Sequence, residues 1–502
     1  MKFLANIILT LFITTTLVGC NTHPANKDNI STKAQKDTAA NNLPVKGMRD
    51  DLFILWSAIK EMHPGYGIYT TADSLQKAYD KTYAAINTPL SETQFITLIY
   101  PFLCNLRCGH TQIIHAEGYK SPVNIKLPHL PFAVLVRNHR AWVTMNQTKQ
   151  LNTGDELISI NGIPVSAIID HGYEMYCGDG YNETFKELYL SEYNGFEDVC
   201  NKYYHWPGPY LVKFLSKSTT VKAVQVDAAK SEVSRDSTIQ QVDNYANWAV
   251  ASSIPDSRLR FLNNASVALL KSPPFAYSDT DVFRDAFKLI KQKEVKTLIL
   301  DMRHNTGGDL RVATCLLSYL ADSPFRIVKD VKSRIPNPAV NSFTKYFDTS
   351  ATQGFIMGFK PADKEGSWYH IEAKPAFGNL YGPFPLNKED HFDGKLLVLI
   401  DGATFSSGAL FSAAIKAQRK NVVFIGRETA GAEEGCNGVT IQKLTLPNTK
   451  IIVQFPWMRV VSVAKYHIPG RGVMPDYPVV YDPYDIVTNK DLDLIKALTL
   501  IN

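Results

Sequence analysis

Apolar positions first recur at helical spacing near the start of the chain, where Leu52, Leu55, Trp56 and Ile59 share one face. The stretch Leu75–Ile86 carries a second, tyrosine-containing helical pattern. A third helix is marked at its start. Ser91 and Gln94 have the spacing of a capping box, and Phe95, Leu98, Ile99, Phe102 and Leu106 then line one side. These patterns predict a small helical domain over residues 47–115.

Between about 128 and 215 the period falls to two, with Phe132, Val134 and Val136 alternating, followed by Trp142 and Val143, so this part reads as strands. From Ala265 onward strands and helices alternate. Val282, Phe283, Ala286, Phe287 and Ile290 form an amphipathic helix before the apolar run Lys296–Leu300, and Leu396–Ile400 is a second such run. A helix from Ser407 to Lys420 and the strand Val422–Ile425 follow. Uninterrupted apolar strands need cover on both faces, which predicts an α/β or α+β domain with a site at its strand ends. Residues 326–394 are rich in Pro, Gly, Asn and aromatic side chains with weak periodicity, and are expected to form loops and short strands covering that domain, where a lid has room.

At about 150 residues per domain, 502 residues imply roughly three domains. A chain that is 45% hydrophobic and 20% charged is neither disordered nor a many-span membrane protein. Its 53 basic and 48 acidic side chains leave +5 with no basic stripe, which points away from a nucleic-acid partner.

The N-terminus changes the picture. Residues 1–20 have the basic Lys2, an apolar stretch from Ile7 to Leu17, and small residues before Cys20, the form of an export signal. Leu17-Val18-Gly19-Cys20 resembles the bacterial lipobox, which implies lipid attachment at Cys20 and a chain held in the cell envelope, facing the periplasm or the cell surface. An ordinary cleaved signal is the alternative. Residues 21–46 read as a flexible tether. Six cysteines remain, Cys104, Cys108, Cys177, Cys200, Cys315 and Cys436, so disulfides are permitted but not required; no second Cys/His pair completes a zinc pattern, and no metal is expected.

Three segments carry candidate chemistry. Ile400-Asp401-Gly402-Ala403-Thr404-Phe405-Ser406-Ser407-Gly408 joins a strand to a helix, which exposes a serine hydroxyl beside the first free N–H groups of the helix, although a serine here is more often an N-cap. Asp301-Met302-Arg303-His304-Asn305-Thr306-Gly307-Gly308 ends the other buried strand, and its glycine pair suits either an oxyanion-binding turn or a plain strand ending. Cys108-Gly109-His110-Thr111 offers an imidazole that can take a proton from a serine, with His304 and His467 as other histidines that have some claim.

The stretch Leu151-Asn152-Thr153-Gly154-Asp155-Glu156-Leu157-Ile158-Ser159-Ile160-Asn161-Gly162-Ile163-Pro164-Val165 resembles the PDZ-domain core with its tight Asn-Gly turn, although a generic hairpin gives the same letters. That likeness implies a module over 120–220 that adds a peptide strand to a sheet edge. The three chemical segments together resemble the tail-specific, or carboxy-terminal processing, serine protease family, including its tricorn-like and retinoid-binding-protein-like branches. Asp301-x-Arg303-x-Asn305-x-Gly307-Gly308 and Thr404-x-Ser406 match the family segments in order, and Gly472-Val473-Met474-Pro475-Asp476 resembles the segment near the end of the domain.

The resemblance implies a multidomain α/β (α+β) chain: an N-terminal helical domain, a PDZ-like β-rich module and, over 260–485, an α/β catalytic domain of the tail-specific protease (ClpP/crotonase-like) type. It implies Ser406 as nucleophile, backbone N–H groups of Gly307 or Gly308 and of Ser407 as oxyanion hole, a peptide or unfolded protein as substrate, and no cofactor. Processing proteases activate the serine with a lysine near Ala432, where this chain has none, so the tricorn-like base His110 is expected. Ala409 stands where an acidic residue is usual and Cys108 where an Asp is common. The carboxylate orienting His110 stays open among Glu428, Glu433, Glu434 and Asp476. Those departures keep an inactive or weakly active peptide-binding lipoprotein as the alternative, with a hydrolase of non-peptide esters or retinoid-like ligands as a third.

Overall fold

The computed structural model describes residues 42–501 apart from 121–126, 218, 235, 263–265 and 376–377. The leader, Cys20 and the tether up to residue 41 lie outside the described residues.

The two apolar runs become neighbouring parallel strands, Thr297–Asp301 and Lys395–Ile400, with Leu298 opposite Leu396. Val267–Lys271 and Val422–Gly426 extend the parallel set on either side. The seven-stranded sheet is completed by antiparallel Leu259–Leu262 and Trp248–Val250 at one edge and by the short parallel strand Tyr477–Pro478 at the other. Both faces are covered, as unbroken apolar strands require. Leu298, Leu300, Leu396, Val398 and Ile400 pack with Phe283 and Phe287 of the helix Asp279–Gln292 and with Leu410 and Phe411 of the helix Ser406–Gln418. Ile299, Leu397 and Leu399 pack on the other side with Leu494 and Ala497 of the C-terminal helix Leu492–Thr499.

Residues 326–394 are more regular than their weak periodicity predicts. Val328–Ser333, Phe359–Glu365 and Trp368–Ala373 join a long hairpin, Gly435–Thr445 with Ile452–Ser462, in a second sheet. The strand Phe359–Glu365 forms an edge of that sheet and buries only Phe359, so its sequence carries almost no apolar alternation.

Helices occupy Val45–Met62, Ala72–Ala85 and Glu92–Cys104, and both bonds of the Ser91/Gln94 capping box are present, at 3.2 and 2.9 Å. They are not a separately cored domain. Trp56, Phe95 and Phe102 belong to one apolar cluster with Val453, Phe455 and Trp457 of the second sheet. Gln112–Ile114 pairs antiparallel with Ile452–Gln454, and the buried Asp51 carboxylate accepts the N–H groups of Asn448 and Thr449 at 3.0 and 2.6 Å.

The β-rich module has its own core, from Leu130 to Val226. Its sheet runs Phe132–Arg137, Arg140–Asn146, Glu156–Ile160, Tyr210–Leu215, Val221–Val226. Ile160 pairs with Ile163 across Asn161 and Gly162, whose φ values of 51° and 82° suit a two-residue hairpin turn. One edge of this sheet, the strand Phe132–Arg137, has backbone donors taken up within the module. The N–H groups of Leu130, Val136 and Asn138 are already bonded to Glu197, Ser191 and Glu187, at 2.8, 2.8 and 2.6 Å. Strand addition needs those donors, so this edge is largely closed.

The module docks on the seven-stranded sheet through residues 179–192. Glu187 pairs with Arg427, Asn182 Nδ2 donates to Thr429 O at 2.9 Å, and His304 bridges Glu192 and Asp401 at 2.8 and 2.9 Å. Hydrogen bonds to Asp401 and then Glu192 raise the His304 imidazole to about 10. A group whose folded pKa lies above its unfolded value of about 6.5 stabilises fully below that value and loses its effect as pH rises through the folded one. We therefore expect the denaturant midpoint of the wild type to fall between about pH 6.5 and 10, and His304→Gln to flatten that slope; parallel midpoint curves would refute the bridge.

Candidate active site

Because Thr297–Asp301 and Lys395–Ile400 are adjacent and parallel, the turns leaving their C-terminal ends meet. The first is held from both sides. Asp301 receives Arg303 in a fork, two bonds of 2.8 Å, and the same guanidinium reaches Asp491 and Asp493 at the start of the C-terminal helix. Asn305 donates to Ser272 O and Pro273 O at 3.1 and 2.8 Å and accepts the Gly307 N–H at 2.9 Å. Gly307 has φ 96°, and a Cβ there would lie 2.6 Å from the Cβ of Ser406, so only glycine lets the two turns come this close.

In the second turn Asp401 accepts the N–H groups of Ala403 and His304, at 2.9 and 3.1 Å. The Thr404 hydroxyl donates to Met302 O at 3.0 Å, and Phe405 N–H donates to Asn305 O at 2.9 Å. Ser406 is thereby fixed at φ 50°, a left-handed conformation that costs about 1–3 kcal/mol for a non-glycine residue and that surrounding bonds must impose. It opens the helix Ser406–Gln418, whose residues Ser407 to Ile415 are all buried. Ala409 lies against Gly431, where a Cβ on the glycine would come within 2.5 Å, so the close packing explains a small residue where an acidic one is usual.

His110 arrives from the other end of the chain. The turn after the helix Glu92–Cys104 uses Arg107 at φ 51°, and the Gly109 N–H is accepted by Asp179 Oδ1 at 2.9 Å. The imidazole lies against the Phe405 ring at 4.4 Å between centroids, with Nε2 3.0 Å from Ser406 Oγ. Burial pushes the imidazole down to about 4, so it is neutral at neutral pH and able to accept a proton.

Gly307 cannot offer its N–H to an oxyanion while that group is held by Asn305. Among the described residues, the Gly308 and Ser407 N–H groups have no acceptor, and the Ser407 hydroxyl donates to Gly308 O at 3.0 Å, which ties the two turns together. An oxygen placed over Ser406 would find two backbone donors at the positive end of a helix.

None of the four carboxylates left open by the sequence reaches His110. Glu428 binds Arg471 and the Gly472 N–H, Glu433 pairs with Lys416, Glu434 holds Arg459, Tyr69 and His467, and Asp476 accepts the Phe424 N–H. His304 and His467 are thus committed to ion pairs and do not meet Ser406. His110 Nδ1 is buried with no partner among the described residues. The acid that holds the base loop is Asp179, which the sequence reading did not single out. Its carboxyl is pushed up to about 7 by burial, and its second oxygen is buried and unpartnered among the described residues. The only local signal is a polar acid set between Gly178 and Gly180 in the module.

Residues 266–479 match the model of peptidase family S41. A Chlamydia pneumoniae protein is 25% identical over 238 residues, 42% of this chain, and the match spans 37% of that relative's length. The crystal structure of mature CPAF covers 91% of this chain and 97% of its own at 15% identity, with a TM-score of 0.58. Mature CPAF complexed with lactacystin gives 0.57 at 16% identity, covering 91% and 98% of the two chains. At such identities these two share the fold. The domain that carries Ser406 is thus a peptidase family S41 domain, of the serine type.

Proposed function

We propose that this chain is an exported, lipid-anchored serine endopeptidase in which Ser406 attacks a peptide carbonyl and His110 moves the proton. The observation that carries the reading is the 3.0 Å contact of His110 Nε2 with Ser406 Oγ, made by a neutral imidazole and a serine held at φ 50°. Nε2 takes the hydroxyl proton as Oγ bonds to the carbonyl carbon. The N–H groups of Gly308 and Ser407 stabilise the oxyanion, each such donor being worth roughly 3–4 kcal/mol in the transition state. His110 then protonates the leaving amine, and water, deprotonated by the same nitrogen, releases the acyl group. The substrate is a peptide or unfolded protein, and the steps call on neither metal nor cofactor.

The unpartnered Nδ1 of His110 favours a second reading, in which the same fold binds peptide and turns it over weakly or not at all. Hydrolysis of a fluorogenic peptide library separates the two. The peptidase reading expects cleavage by the wild type and a loss of at least about 10,000-fold in kcat for Ser406→Ala and for His110→Ala. It also expects kcat/KM to be level at neutral pH and to fall below about pH 4, where Nε2 becomes protonated. A peptide that stays bound and uncut for hours supports the binding protein, and hydrolysis of esters alone supports the third class.

Anchoring rests on the Leu17-Val18-Gly19-Cys20 segment. Thioether attachment of lipid at Cys20 would hold the catalytic domain at the cell envelope on the tether. Cys20→Ala should move the protein out of the membrane fraction and abolish incorporation of labelled fatty acid; unchanged labelling in that variant would end the proposal.

A further inference from the structure

The helix Glu92–Cys104 ends against the segment Cys177–Gly180, which leaves the helix Val165–Met175 of the module. Between them lies a cavity of about 190 Å³, and both Cys104 and Cys177 line it, together with Asn105, Arg107, Glu174 and Lys186. Both cysteines are free, and burial, with the nearby Cys177 thiol as the smaller cause, holds the Cys104 thiol above its ordinary range. Each is only partly covered, whereas Cys108, Cys200 and Cys436 are buried.

Two adjoining thiols in a solvent-connected polar cleft, on segments 73 positions apart in sequence, form a site for covalent modification. We propose that Cys104 and Cys177 are a cross-linking pair that closes to a disulfide by exchange with a disulfide donor such as oxidised glutathione. The Cys177 thiolate attacks one sulfur of the donor, forming a mixed disulfide and releasing one glutathione thiolate. The Cys104 thiolate then attacks the Cys177 sulfur, forming the Cys104–Cys177 bond and releasing the second. The two thiol protons pass through solvent to the two glutathiones, so one oxidised glutathione yields two reduced ones. The order follows from burial, which holds the Cys104 thiol well above its ordinary range and makes it the slower attacker on an external donor.

The bond would brace the base loop from its two sides. Six residues after Cys104 the chain reaches His110. Two residues after Cys177 stands Asp179, which accepts the Gly109 N–H, while Asp179 N–H donates to Ala430 O and Gly180 N–H donates to Arg107 O. A Cβ on Gly109 would approach Cys177 O to 3.1 Å, so the two segments already touch. A covalent link here closes a long loop, the kind that removes most freedom from the unfolded chain.

The cross-link does not depend on peptidase activity, so its test stands apart from that reading. The folded chain from Cys20 onward would be incubated with oxidised glutathione, its free thiols alkylated, and its peptides mapped without reduction. The expected result is one cross-linked peptide pair joining Cys104 to Cys177, lighter by two hydrogens, with a melting temperature raised by several degrees over the reduced protein. Cys104→Ser should stop the reaction at a glutathione adduct on Cys177, and Cys177→Ser should remove the cross-link. Alkylation of both cysteines in oxidant-treated folded wild type, or a map pairing either one with another cysteine, would overturn the proposal without any variant having to fold.

Discussion

The chemistry proposed for this molecule depends on one hydrogen bond, between Ser406 Oγ and His110 Nε2, on residues 296 positions apart. Such a contact holds only if the elements carrying its ends are rigid with respect to each other. The apolar cluster supplies that rigidity by running without a break from Trp56 and Phe102 in the N-terminal helices through Phe455 and Trp457 to Leu300 and Phe411 in the catalytic sheet and its helix. An independently folding helical domain on a linker would leave the base adrift. The strand Gln112–Ile114, paired to the long hairpin just beyond His110, fixes the loop from its other end.

Burial sets the electrostatics of the pair. Removing His110 from water disfavours its charged form, which keeps Nε2 available as an acceptor at neutral pH but lowers its basicity. Asp179, also buried, is pushed in the opposite direction to about 7 and spends one oxygen on the Gly109 N–H. The strong ion pairs lie one layer out. Arg303 among Asp301, Asp491 and Asp493, and His304 between Asp401 and Glu192, anchor the turns rather than touch the serine. The charged residues of the Asp-x-Arg motif are therefore scaffold, and the proposed mechanism draws only on a neutral imidazole, a hydroxyl and backbone amides.

What the sequence made legible was local. The capping box at Ser91 and Gln94, the apolar runs that became the central strands and the Asn161-Gly162 turn each depend on neighbours within a few residues. The two motif segments could be read because strand ends and glycines mark them. The shared core between the N-terminal helices and the second sheet could not be read, since its partners lie hundreds of residues apart. The role of Asp179 was hidden for the same reason, because its acceptor function exists only once Gly109 is beside it. Short strands between 328 and 373 are expected from the sequence but cannot be placed by it, because one faces water along nearly its whole length and leaves no period-two signal.

The central claim is that His110 activates Ser406, and active-site labelling tests it most directly. A fluorophosphonate probe added to the folded chain, followed by peptide mapping, should mark Ser406 in the wild type and leave both Ser406→Ala and His110→Ala unlabelled. Labelling of Ser406 that proceeds equally well in His110→Ala, or a folded wild type that takes no label, would contradict the account.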